Sequence, residues 1–348
     1  MVILMGLGIC AGGFIGIIIL YLAIVIFAPG FHVPKQPLPV AESKKEPEET
    51  PRSRKDVSFE VDGDKIHAWL YLPGDLSKPV PCVVMGNGFG GTKDMILENY
   101  AILFQVAGLA ALAIDFRFFG ESEGQPRQLY TIGNQIKDFK AAIAYARGLA
   151  EIDPDRIATW GTSASGGYGL IVAARDKKIA CVVGQCPALD SQRDGRVALK
   201  REGWGFFLRL FMHAQRNTGR GRLGLSPHKV PLVGKPGTLA MVTGPGAFEG
   251  YTKLASRSFV NEVCARAILM SHDYNPFDYA KDVECPVLIL SCEQDNLVSK
   301  ESAVETAKVL GEYAELKQYP IGHFEIYEGE HFKRSITDQI AFFEKHLN

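Results

Sequence analysis

Three side chains, far apart in the chain but each just past a predicted strand, have the types needed to activate a hydroxyl for attack on an acyl carbon. The first lies in Ile157-Ala-Thr-Trp-Gly-Thr-Ser163-Ala-Ser165-Gly-Gly167, where a short run ends in Gly161 and a serine follows two residues on. A strand that turns sharply into a helix holds such a serine at the tip of a strained turn, which large neighbours would block. In the pattern G-x-S-x-G, Ser165 stands where the last glycine would be, so the stretch also reads in a shifted register with Ser165 reacting. The run ends at Trp160, which puts Ser163 at the tip and Ser165 one step into the helix. Ser163 is therefore taken as the nucleophile.

A serine hydroxyl is a poor nucleophile until an imidazole accepts its proton and a carboxylate orients that imidazole. Val287-Leu-Ile-Leu-Ser-Cys292 predicts a buried strand, followed by the polar loop Glu293-Gln-Asp295-Asn-Leu-Val298. Glu315-Leu-Lys-Gln-Tyr-Pro320 predicts another, followed by Ile321-Gly-His323-Phe-Glu-Ile-Tyr327. Asp295 and His323 are the candidate acid and base, with Asp190 a second candidate acid after an earlier strand. A fourth part is Val80-Pro-Cys-Val-Val-Met-Gly-Asn87-Gly88-Phe89-Gly-Gly91, an apolar strand running into a glycine-rich loop. Such a loop can aim a backbone N–H at an oxyanion, together with the N–H of the residue after the nucleophile. Those donors are assigned to Phe89 and Ala164. The loop lacks both the lysine ending of a P-loop and the G-x-G-x-x-G spacing, so a nucleotide site is not supported.

From about Val57 onward the chain resembles the α/β-hydrolase superfamily. The likeness is carried by Asn87-Gly-Phe-Gly-Gly-Thr-Lys-Asp94, Ile114-Asp-Phe-Arg-Phe-Phe-Gly-Glu-Ser122, the Ser163 turn, Asp295 and Gly322-His-Phe-Glu-Ile-Tyr327. The order Ser…Asp…His is that of this class. Within it the chain is similar to hydrolases of the dienelactone-hydrolase, Xaa-Pro-peptidase (S15-like) and fungal polyketide-transferase type, which share a segment like Asn261-Glu-Val-Cys-Ala-Arg266. The resemblance favours Asp295 over Asp190, because its strand directly precedes the histidine strand. It departs from the family at Asn87, where a histidine is common, and at Ser165.

The elements that must position these residues alternate. Val57–Val61 and Lys65–Leu72 predict an antiparallel hairpin about Asp62-Gly63. Strands follow at Cys82–Met85, Leu112–Asp115, Ile157–Trp160, Cys181–Val183, Val287–Leu290 and Glu315–Tyr319. Helices are predicted at Lys93–Ala107, Thr131–Ala150, Ser165–Arg175, Lys300–Leu310 and Phe332–His346. This alternation predicts a mostly parallel sheet with helices on both faces. The block at about 188–281 interrupts it and is too long for a structureless loop, so a folded cap is expected there, before the strand that bears the acid. Within the cap, Lys200 to His213 mixes aromatics with basic residues. It reads either as a lid touching a bilayer or, the preferred reading, as a helix whose apolar stripe packs on the core.

The first 34 residues contain no Lys, Arg, Asp or Glu, and Met1 to Ala28 is nearly continuous apolar sequence. About 20 such residues span a bilayer, so residues 1–28 are expected to be a retained transmembrane anchor. Lys35, Lys44, Lys45, Arg52, Arg54 and Lys55 follow it with no basic residue before it, which predicts a catalytic domain on the cytoplasmic side. A charged, proline-rich linker is expected over 29–56 and the hydrolase domain over 57–348. The formal charge of −1 gives no electrostatic case for nucleic acid. The seven cysteines are scattered without a C-x-x-C pair, which suits reduced, buried thiols, and the eight histidines show no metal-ligand spacing. The sequence thus predicts a membrane-anchored serine hydrolase that needs no metal or cofactor. Its partners are a small acyl substrate and the membrane. Carboxylic esters or thioesters are the first substrate class and amides or peptides the second; acyl transfer is a further reaction, and a non-catalytic binding scaffold is the rival.

Overall fold

The uncharged N-terminal run winds into one helix, Val2–Phe27 (α1). The computed structural model describes residues 2–28, 31, 33–36, 38, 54–269 and 275–347, with backbone alone for 2–14. Arg54–Val61 (β1) and Asp64–Tyr71 (β2) form the expected hairpin. Asp62 and Gly63 close it with φ of 52° and 87°, the left-handed pair that a two-residue turn between twisted strands requires. Then strands and helices alternate: Val80–Gly86 (β3), Lys93–Val106 (α2), Ala110–Ile114 (β4), Ile132–Arg147 (α3), Ile152–Thr162 (β5), Tyr168–Arg175 (α4) and Ile179–Gln185 (β6). The cap holds Ser191–Glu202 (α5), Trp204–Arg222 (α6), Lys229–Val230 (β7), Ala247–Leu254 (α7) and Val263–Cys264 (β8), with β7 and β8 paired antiparallel. The chain returns through Val287–Cys292 (β9), Lys300–Leu310 (α8), Ala314–Tyr319 (β10) and Gly329–Leu347 (α9).

The eight-stranded sheet has the order β1-β2-β4-β3-β5-β6-β9-β10, antiparallel at the first two pairings and parallel beyond. Every residue of β3, β4 and β9 is buried, as strands covered on both faces must be. Ile136, Phe139 and Ile143 of α3, with Leu170 and Ile171 of α4, pack on one face. Leu97 and Phe104 of α2, with Phe342 and Phe343 of α9, pack on the other. From β3 the chain moves outward to β4, and from β5 it moves the opposite way to β6. The C-terminal ends of β3 and β5 therefore flank the point where strand order reverses, which is where open α/β sheets leave a crevice. The loop carrying Phe89 follows β3, and Ser163 follows β5.

The expected membrane span coincides with α1, and the side chains of its first half lie outside the described residues. Among the described residues no helix is long and apolar enough to cross a membrane. Part of the expected linker is docked on the cap. Asn261 Nδ2 donates to the Gln36 carbonyl at 2.6 Å, Lys35 pairs with Glu262 at 3.2 Å, and Val33 and Leu38 pack against the core. Most of that linker, 39–53, lies outside the described residues. The six described cysteines are free and buried.

Candidate active site

β5 ends at Thr162, and Ser163 takes a φ of 54° before the chain enters a 3₁₀ turn over Ser163–Gly167 and then α4. A non-glycine residue in the left-handed region is strained and persists only where its surroundings dictate it. Here they do. A Cβ on Gly161 would lie 2.2 Å from the Ser165 carbonyl oxygen, so the turn folds back only over a glycine. Ser163 lines the largely apolar cavity above the sheet. Ser165 is fully buried; its Oγ accepts from the Thr162 N–H at 3.0 Å and donates to the Gly86 carbonyl at 2.7 Å. The residue standing in the usual glycine position thus ties β5 to β3, and the two serines face different surroundings.

Asp295 and His323 come together. His323 Nδ1 lies 2.6 Å from Asp295 Oδ2, and both side chains are buried. Asp295 Oδ1 accepts the N–H groups of Leu297 and Val298 at 2.8 and 3.1 Å, which fixes the carboxylate after β9. Burial on its own lowers the basicity of His323. The adjacent Asp295 carboxylate outweighs it and holds the imidazole up at about 9. Ser163 and His323 line the same cavity, yet Ser163 Oγ makes no hydrogen bond among the described residues. Such contacts are commonly long until substrate binds. Asp190 goes elsewhere: it caps α5, accepting the Arg193 N–H at 3.0 Å.

The loop after β3 packs on the serine, since a Cβ on Gly88 would lie 3.1 Å from Ser163 Cβ. Asn87 shapes this loop from within, donating to the Thr92 carbonyl and accepting the Gly88 N–H, both at 2.7 Å. Tyr251 of α7 donates its hydroxyl to the Phe89 carbonyl at 2.9 Å. The Phe89 N–H has no acceptor among the described residues. Ala164 sits in the first 3₁₀ turn, where N–H groups have no partner within the helix. Two donors are thereby left beside Ser163. Asp115, Arg117 and Glu121 brace the neighbouring loop. The fully buried Asp115 takes Lys93 Nζ and the Lys93 N–H at 2.7 Å each, Glu121 also meets Lys93, and Arg117 pairs with Asp138 at 2.6 Å.

The cavity holds about 310 Å³ and runs from Ser163 and His323 beneath Phe206, Phe207 and Leu210 of α6. Two carboxyls of α5, Asp194 and Glu202, line this otherwise largely apolar space. Asp194 of α5 accepts the Ser299 N–H at 2.8 Å, and burial raises it to about 7, helped by Asp190 and Asp295. Asp194 and Tyr251 escape a reading of the sequence. Asp194 is one of several charged residues in a polar helix, and Tyr251 reaches its partner across 162 residues.

The sequence pattern of the X-Pro dipeptidyl-peptidase (S15) family matches residues 62–217. The quorum-quenching protein AidA of Acinetobacter baumannii (strain MDR-ZJ06) is 38% identical over 297 residues, 85% of this chain and 96% of that protein. The polyketide transferase ATR5 of Stachybotrys chlorohalonatus is 26% identical over 310 residues, covering 85% of this chain and 98% of its own. The α/β hydrolase GrgF from Penicillium sp. sh18 superposes with a TM-score of 0.72 at 23% identity, over 85% of this chain and 99% of that one.

Proposed function

Because this chain belongs to the α/β-hydrolase superfamily, we propose that it is a serine hydrolase cleaving carboxylic esters or thioesters through Ser163, His323 and Asp295. The observation that carries this reading is a serine held at φ 54° in the same apolar cavity as a buried histidine–aspartate pair. In the neutral imidazole, Asp295 keeps the proton on Nδ1 and leaves Nε2 free to take the proton of Ser163. Oγ attacks the acyl carbon, and the negative charge that develops on the carbonyl oxygen is met by the N–H groups of Phe89 and Ala164. The imidazolium returns its proton to the leaving alcohol or thiol, which departs from the acyl-enzyme. Water, deprotonated by His323, then releases the acid and restores the serine. Side chains such as Phe206, Phe207 and Leu210 suit an apolar acyl chain. The same steps with a non-water acceptor give acyl transfer, a second reading favoured by the likeness to a polyketide transferase; the S15 match favours amide or peptide cleavage as a third.

The test is a series of nitrophenyl esters and acyl thioesters graded in acyl length, assayed with the wild type and Ser163→Ala. The proposal expects turnover that needs Ser163 and improves with chain length until the cavity is filled. Equal turnover by the variant would remove it.

The proposal includes an anchor. Residues 1–28 lack charge, and the exposed α1 side chains include Ile17, Ile19, Leu20 and Phe27, at 59–67% exposure. Such a helix is costly to leave in water and well suited to hydrocarbon. With basic residues only on its C-terminal side, the catalytic domain is proposed to be cytoplasmic. Retention in membranes after a carbonate wash, with digestion by protease in inside-out vesicles only, is the expected result. Release by the wash, or digestion in right-side-out vesicles, would contradict the anchor or its orientation.

A further inference from the structure

Helix α6 is apolar on two opposite sides. Phe206, Leu210 and Ala214 point inward and are buried. Trp204, Leu208 and Phe211 point outward, with 78%, 62% and 41% of their surface exposed. These three are spaced i, i+4, i+7, so they form one stripe along the helix. Packing on the core, as the sequence suggests for this segment, accounts for the inner side alone. Helix α6 also carries four arginines, Arg209, Arg216, Arg220 and Arg222, and no acidic residue. Arg209 and Arg222 are exposed.

What would cover the outer stripe is indicated by its neighbour. Helix α1 leaves the body of the protein at α6. Val25 is buried there, its carbonyl accepts Arg216 Nη1 at 2.8 Å, and Ile26 fills the notch at Gly219, where a Cβ would lie 2.5 Å from it. From Ile15 to Ile24 the large apolar side chains of α1 are exposed. The two surfaces belong to helices in contact, and arginines accompany the second. A second copy of this chain seated on the stripe would set arginine against arginine. A bilayer surface rich in anionic lipid satisfies both the apolar side chains and the cations.

We infer that the outer face of α6 lies in the head-group layer of an anionic bilayer, making the cap a membrane-seated lid. Its inner face, through Phe206, Phe207 and Leu210, roofs the cavity that holds Ser163 and His323. Acyl substrates dissolved in the membrane thus enter beneath α6 without crossing water. This rests on the proposed hydrolase for the use of the cavity, and the exposed apolar side chains of α1 beside α6 mark the side that faces the bilayer.

The chain offers its own probe. It has three tryptophans; Trp69 and Trp160 are buried at 8% and 0% exposure, and Trp204 is open. The full chain is placed in phosphatidylcholine vesicles with and without phosphatidylserine, with brominated lipid as quencher from the membrane side and iodide from the aqueous side. The inference expects a blue-shifted emission component quenched by brominated lipid, protected from iodide, strengthened by phosphatidylserine and lost in Trp204→Phe. It also expects Leu208→Glu to reduce hydrolysis of a long-chain ester held in vesicles several-fold while leaving a short water-soluble ester unaffected. Iodide quenching without lipid quenching overturns the inference, and so does an equal effect of Leu208→Glu on both esters. If the chain survives a carbonate wash while Trp204 stays in water, the anchor stands and this inference falls. Lipid quenching of Trp204 in a chain that the wash releases removes the anchor and supports the seated lid.

Discussion

Replacing Asp295 by Asn removes one charge and keeps the shape. The Asn carbonyl oxygen can still accept the Leu297 and Val298 N–H groups at 2.8 and 3.1 Å, so the loop is expected to hold. That turns the amide NH₂ toward His323 Nδ1, where the carboxylate oxygen sat at 2.6 Å. The imidazole must then accept at Nδ1 and carry its proton on Nε2, the wrong tautomer for taking a proton from Ser163. A loss of about 10⁴ in kcat is expected from this change, about 5 kcal/mol of barrier. The pH dependence should move as well. The proposed mechanism needs neutral His323, so in the wild type activity should rise with pH toward a midpoint near 9. Without the carboxylate, burial opposes only the weaker raising influence of Cys186 and Asp194, and the residual activity should show a midpoint well below that of the wild type. Stability follows the same linkage. A raised folded-state pKa stabilises fully below the unfolded value and is lost as pH rises through about 9. The wild type should therefore exceed Asp295→Asn in denaturant stability below pH about 6, the gap closing toward alkaline pH. Stopped-assay pH profiles and urea melts at several pH values measure both. A turnover loss under tenfold, or a midpoint that does not move, would refute the reasoning.

Three further outcomes are expected. Ser165→Ala leaves the buried Thr162 N–H without its acceptor and should lower stability by about 1–3 kcal/mol while retaining most esterase activity; a full loss of activity with an unchanged melting temperature would point to the other serine register. Asp190→Ala removes the cap of α5 and should cost about 1 kcal/mol in urea unfolding, with no shift in the pH midpoint of activity; a shifted midpoint would make it the histidine's partner. Tyr251→Phe removes the hydroxyl held by the Phe89 carbonyl and should lower kcat up to about tenfold with little change in KM, as loosening of an oxyanion donor would; a change confined to KM would place Tyr251 in substrate binding instead.

The residues of the proposed triad are legible in the sequence because each is a local event. Runs of strand length end at Trp160, Cys292 and Tyr319, apolar in the first two and mixed in the third, and polar or small residues follow, so the topology delivers Ser163, Asp295 and His323 to one end of the sheet. The serine register is harder, because Ser163 and Ser165 have equally small neighbours. It is the φ of Ser163 and the buried hydrogen bonds of Ser165 that separate them, and neither is written in residue type. The cap announces itself only by interrupting the alternation. Its helices bury few residues, none in α5, so their apolar spacing does not say which side meets the protein. In α6 both sides are apolar, and periodicity alone does not tell roof from outer surface. The linker looks free because proline and charge dominate it, yet Val33 and Leu38 find the core.

One covalent bond tests the identity of the nucleophile most directly. The full chain is treated with a fluorophosphonate, digested, and the modified peptide sequenced by mass spectrometry, beside Ser163→Ala and Ser165→Ala. A serine hydrolase acting through Ser163 gives a single adduct on that residue, absent from Ser163→Ala and present in Ser165→Ala. An adduct on Ser165, or no adduct in a wild-type protein that still cleaves esters, would contradict it.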